Sequence, residues 1–433
     1  MNFLSKYRYI HFKKVGAAIL FLISFLNQPL LSIWTLVMCL KGVISQNRST
    51  VIRIFIMIQL RSLINPGIAS SYSGVSSMIK WITIFILSGM ILFSLYDEHA
   101  DALKKIYLSF IFFTVIIIVS GFFFSSYPVV AAFKMISYVV PFLAILKGIC
   151  NTSYIGWIKE VTEPFGILLL GSIVLIPFPV GYLRNGHAFQ GIFSHPNIYG
   201  AMLAMFLAGF LYSSNKITLK EIIISIITTG LAVLSESRTG IFACICVIIL
   251  YLLSKEIRTK FSSKIYLIVI ILTVLSIIVL DNSIITSIHS LIYKGGNESV
   301  LFSRANQFES NINRFFVSPL LGTGFNVPYI PNVCSYGFSF DLVVENGNLI
   351  LAILGDIGII GFAIFILCYL QLLKLGWGNK IVLFIIPFVV SMGEQSFFST
   401  NNFAIIMYIY ISIFVADGIK KNNVDEKKYL QEF

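Results

Sequence analysis

Charge is what this chain has least of. Of 433 residues only 12% are charged, against 57% hydrophobic, and the mean hydropathy is +0.90. A soluble domain carries about 25% charged residues, so there is too little charge here to cover a globular surface in water. Acidic residues are the scarcer sign, 19 against 31 basic ones, for a net charge of +12. That excess does not indicate nucleic acid, because basic residues of membrane proteins gather in cytoplasmic loops and set orientation. Cysteine and histidine are also rare, at six and five. Cys39, Cys150, Cys244, Cys246 and Cys368 lie in or beside apolar runs, and Cys334 stands alone in a polar stretch. Neither a disulfide framework nor a metal site is expected from such spacing. The chain has no Walker loop and no convincing GxGxxG, so ATP hydrolysis is not expected. The alternation of a β-barrel strand is missing too.

What the chain has instead is repeated apolar runs. They are long enough to span hydrocarbon, and they predict an all-α polytopic membrane protein with about 12 to 14 crossings of ~20 residues each. A basic start (Lys6, Arg8, Lys13, Lys14) precedes the first run, with no small-residue cleavage site after it, which reads as a signal anchor. That run, 15–43, is broken at Asn27-Gln28-Pro29, so it forms either one kinked helix or two short ones. No internal repeat marks a two-fold transporter. The predicted organisation is a transmembrane bundle over 1–280, a large polar loop over 281–348, further transmembrane helices over 349–417 and a tail over 418–433.

Loop charge orients the chain. With the large loop outside, the basic segments 213–220 and 254–264 and the tail fall in the cytoplasm. Both termini are then cytoplasmic. Arg184, His187 and His195 (loop 182–197), Glu236 and Arg238 (turn 234–240), Arg304 and Arg314 (large loop), and Glu394 (turn 393–402) are left on the outer side. Arginine is under-represented there, so each of these needs a reason.

Arg238 follows Ser237 and precedes Thr239-Gly240, between two apolar helices. A guanidinium beside free helix N–H groups suits a phosphate. A salt bridge to Glu236 or contact with lipid headgroups is the plainer reading. Arg304, Gln307, Asn311 and Arg314 recur at helical spacing, with Phe308, Ile312, Phe315 and Phe316 forming an opposite, buried face. This predicts an amphipathic helix on the membrane, ended by Ser318-Pro319, with Arg304 and Arg314 on phosphate or on anionic lipid. Asn197, after Pro196, is the expected cap of the next span, and His195 is either a turn residue or a participant. Glu345, ahead of Asn348, is either a general base or a carboxylate favoured by a helix dipole. Glu394 is a second candidate base, or a partner for an arginine.

Four pieces together resemble the O-antigen ligase/O-antigen polymerase superfamily of bacterial surface-polysaccharide assembly. They are the turn from Gly191 to Asn197, the SRTG turn at Arg238, the run from Arg304 through PLLGTGF, and Asn348 with the GIIG at Gly358–Gly361. The resemblance covers roughly the second half of the chain. It implies a GT-C-like fold with short helices in the large loop, and a metal-independent glycosyltransferase of the bacterial inner membrane. The donor it implies is a glycan on undecaprenyl diphosphate, and no cofactor is needed. Residues matching Arg238 and Arg304 would hold the diphosphate, with Arg184, Arg314, His195 and Asn348 as further contacts to substrate. Where a ligase motif begins with histidine, this chain has Gly347. That favours the polymerase branch, joining repeat units of O-antigen, lipopolysaccharide or capsule, and leaves Glu345 as the base. A ligase, or a flippase for lipid-linked glycan, is the alternative. Membrane lipids and a chain-length regulator are the further partners implied.

Overall fold

The computed structural model describes residue 16 and residues 18–94, 99–152, 156–184, 186–214, 218–253, 305–339, 342, 344, 347–376, 380–393, 396–399 and 402–431. Among these the fold is all-α, with one isolated antiparallel bridge between Ile64 and Phe193. The helices are α1 (Gln28–Ser45), α2 (Arg48–Ser62), α3 (Gly74–Leu92), α4 (Ala100–Phe124), α5 (Pro128–Cys150), α6 (Trp157–Gly171), α7 (Pro196–Ser213), α8 (Leu219–Leu234) and α9 (Arg238–Leu253). Then come α10 (Ala305–Val317), α11 (Leu349–Leu375), α12 (Ile381–Ser391) and α13 (Ala404–Gln431). Among the described residues five helices are long and apolar enough to cross a membrane: α1, α3, α4, α5 and α11. This is a multi-pass membrane protein. The expected span at 264–280 lies outside the described residues.

Local chemistry sets the helix starts. Asn27 caps α1, its side chain accepting from Leu30 N at 3.0 Å, with Pro29 in the first turn. The first apolar region is therefore two helical pieces, parted at residues 24–27. Thr218 and Glu221 form a capping box at α8. At α7 the cap is His195 and not Asn197, because Pro196 takes the first helical position, where its missing N–H is harmless. α13 continues as helix through most of the segment expected to be a tail.

Exposed apolar side chains such as Phe123, Leu108 and Leu367 line the outside of the helices, as lipid contact requires. Inside, an aromatic core joins α5, α11 and α13. Tyr138 and Tyr369 share a hydrogen bond of 2.6 Å, and Tyr408 packs beside them. The bundle has two chemically different ends. One is basic and laced by cation contacts: Arg53 with Glu160 at 2.9 Å, Lys380 with Asp417 at 2.9 Å, and Lys147 donating to Leu92 O at the end of α3 and to Ser94 O just past it. The opposite end gathers the described parts of the connections, 63–73, 125–127, 172–184, 186–195, 235–237, 318–339, 347–348, 392–393 and 402–403. Its links include Ser194 N to Leu63 O at 2.9 Å and Asn65 N to Ile192 O at 2.8 Å.

Candidate active site

The centre of this second end is a helix that breaks and a loop that mends it. In α11, Gly358 has φ 65 and ψ −172, outside any helical conformation and open to glycine. An unbroken helix would pair Ile359 N with Gly355 O, and Ile360 N with Asp356 O. Instead Ile359 N donates to Pro319 O (2.8 Å) and Ile360 N to Leu320 O (3.1 Å). The vacated carbonyls of Gly355 and Asp356 accept from Thr323 N (3.1 Å) and Gly324 N (3.0 Å). Two helical bonds are thus exchanged for four crossed ones to the PLLGTGF run. Irregular backbone at membrane depth is tolerated only when its polar groups are satisfied in this way. Gly322 (φ 74) and Gly324 (φ 113) supply the left-handed turns of the run, and a Cβ on Gly322 would collide with the Asp356–Ile357 peptide.

One ion pair locks the junction. Arg314, on α10, is 5% exposed, and its fork reaches the Asp356 carboxylate, Thr323 Oγ1 (3.1 Å) and Gly324 O (3.2 Å). The other Asp356 oxygen accepts from Asn326 N at 2.8 Å. Phe325 inserts into the aromatic core between Tyr138 and Phe398. Ser120 Oγ on α4 donates to Leu321 O at 3.1 Å.

α10 lies the other way round from the sequence expectation. Its polar face is inside: Asn311 is 1% exposed and packs on Gly355, whose missing side chain admits the approach. Ile312 (42%) and Phe316 (71%) face outward. Of the expected buried face, Phe308 and Phe315 are half-buried, and Ile312 and Phe316 are exposed. The physical reason is that a lipid neighbour accepts apolar side chains, while Arg314 on the polar stripe finds its partners, Asp356, Thr323 and Gly324, inside the chain.

The other singled-out residues gather beside this junction. Arg238 opens α9 and is half-buried, after Ser237, whose hydroxyl accepts from Gly240 N at 3.2 Å. Glu236, just ahead, is left-handed (φ 50) and lies 3.4 Å from His187 Nε2. Phe189 N donates to Leu234 O at 3.0 Å, tying loop 182–197, with exposed Arg184, to the same turn. His195 Nδ1 accepts from Asn197 N at 3.1 Å, so that atom serves as the helix cap. Asn348 caps α11, accepting from Ile350 N (3.0 Å) and Leu351 N (3.1 Å), and its amide reaches Met392 O at 3.4 Å. The next residue, Gly393, abuts Thr239. Arg238, Arg184, His195 and Asn348 thus share one end of the bundle. Arg314 is engaged within the junction. Arg304, Glu345 and Glu394 lie outside the described residues.

Two participants were not given roles from the sequence. Asp356 and Lys134 are charged residues inside apolar helices, and that oddity is itself the signal. Among the described residues no group of His, Cys, Asp and Glu could hold a metal ion.

The O-antigen ligase family is matched by residues 223–366, a stretch holding the Arg238 turn, α10, the junction and the Asn348 cap. No curated protein matches the chain. The matched stretch, about a third of the chain, is similar to that family.

Proposed function

From that likeness, we propose that the chain is a polymerase of lipid-linked oligosaccharide repeat units, either O-antigen or capsule. The donor is a growing glycan on undecaprenyl diphosphate, and the acceptor is the next lipid-linked unit. An acceptor hydroxyl oxygen bonds to the anomeric carbon as the bond from that carbon to the diphosphate oxygen breaks. The hydroxyl proton passes to a carboxylate, and undecaprenyl diphosphate leaves with the electron pair. The activated donor supplies the driving force.

In this reading Arg238 and Arg304 hold the diphosphate and stabilise charge as it departs. Arg184, His195 and Asn348 border the same end. Arg314 shapes the site through Asp356, short of the substrate. Glu345 is the base, with Glu394 next in line. The basic end of the bundle faces the cytoplasm of a bacterial inner membrane, and the junction faces outward. The observation that carries the polymerase branch is Gly347, standing where a ligase motif has its histidine.

A gel of surface glycan from a deletion strain tests the reading. The expected result is a single repeat unit on its anchor. Loss of all attached glycan, with lipid-linked polymer accumulating, would make the chain a ligase instead.

A further inference from the structure

Lys134 sits in the second turn of α5, and its ammonium is shared between two distant carbonyls. Nζ donates to Asn326 O and to Leu342 O, each at 2.6 Å. One cation therefore closes both ends of the segment between those residues. The same residue, left-handed at φ 54, gives its own N–H to Asp356, so Asn326 is gripped from both sides. Further along, Ser126 Oγ accepts from Ile330 N and donates to Ile330 O, both at 2.9 Å, and Ser126 O accepts from Ser335 N at 2.8 Å. Phe338 rests edge-on against Phe133 at 5.1 Å.

A segment without helix or strand is thus fixed at several points, yet Tyr336 is 64% exposed and Phe338 47%. Ser335 and Ser339 flank these aromatic residues, and Asn332 lies just upstream. Rigid rings set beside amide and hydroxyl groups suit a sugar, whose C–H faces pack on rings while its hydroxyls pair. Pre-ordering such a surface removes the cost of ordering it on binding.

We propose that Lys134 is a positioning residue that holds residues 326–339 as a ledge for the glycan being transferred. The proposal rests on the glycosyl-transfer reading above, and takes a neutral oligosaccharide as the ligand class.

The test uses the full chain in proteoliposomes with lipid-linked repeat units from its host. Hydrogen–deuterium exchange of 326–339 is expected to rise in Lys134→Met while α5 stays protected, and to return to wild type in Lys134→Arg. The donor KM is expected to rise about 10- to 100-fold in Lys134→Met, with a smaller fall in kcat, and to recover in Lys134→Arg. Tyr336→Ala is expected to raise KM with no change in exchange. Wild-type exchange in Lys134→Met overturns the positioning role. An unchanged KM in Tyr336→Ala, with weaker fluorescence quenching by brominated lipid of a probe on Cys334, overturns the sugar ledge in favour of a membrane contact. No transfer by the wild type overturns the polymerase reading and the ledge's ligand, while the exchange measurement still decides the pinning.

Discussion

Arg314 and Asp356 meet across the break in α11, with both side chains out of solvent. Removing one partner leaves a buried charge alone, which costs about 3–5 kcal/mol. Arg314→Met or Asp356→Leu alone should therefore lower the thermal unfolding temperature sharply in detergent. The double variant should recover part of the loss, as read by fluorescence-detected size exclusion. Additive losses would mean that the two residues do not act as a pair.

Gly358→Ala should be more harmful than any alanine exchange at a roomy glycine. A Cβ at Gly358 would strike the Leu320 carbonyl group, and φ 65 disfavours a side chain in any case. Gly230 in α8 has open space around it and is the control. The expected outcome is normal folding for Gly230→Ala and a destabilised, aggregation-prone Gly358→Ala on the same assay.

Arg238→Ala should leave the protein in the membrane while long glycan chains disappear. Loss of one transition-state contact of this kind lowers turnover by roughly 10²–10³-fold. Arg238→Lys should recover little, because an ammonium cannot reproduce the fork. Wild-type chain lengths in the alanine variant would remove Arg238 from the diphosphate.

Glu345→Gln should lower turnover more than donor binding, since the amide keeps the shape of the carboxylate and loses its basicity. Single-turnover kinetics separate the two. Unchanged turnover would move the base to Glu394.

Sidedness has a native probe. Cys334 is exposed on the segment that Lys134 closes, whereas Cys39, Cys150, Cys244 and Cys368 are buried. A membrane-impermeant maleimide should label intact cells, and Cys334→Ser should abolish that signal. Labelling only after the membrane is opened would reverse the proposed orientation.

The helices were legible in the sequence because their signals are local. The break expected at Asn27-Gln28-Pro29 is there because Asn27 caps α1, whereas the cap expected at Asn197 falls two residues earlier, at His195. The two faces of α10 were legible as well, but not which way they turn. Periodicity gives an amphipathic stripe without naming its neighbour, and a membrane reverses the rule learned in water. The junction escaped for a different reason. PLLGTGF and GDIGIIG are each visible as glycine-rich runs, but their crossed hydrogen bonds join residues 32 to 40 positions apart, such as Thr323 with Gly355 and Pro319 with Ile359. Lys134 was missed because its partners are backbone carbonyls, which carry no residue signature.

The mended break also limits how this protein can be taken apart. Residues 318–326 complete the hydrogen bonding of 355–360, so neither piece is whole without the other. A chimera that grafts this loop from a relative, and keeps the resident helix, would leave carbonyls and amides stranded at membrane depth. Loop and helix should therefore transfer as one unit, and specificity swaps between such enzymes should succeed only when the cut points lie outside both.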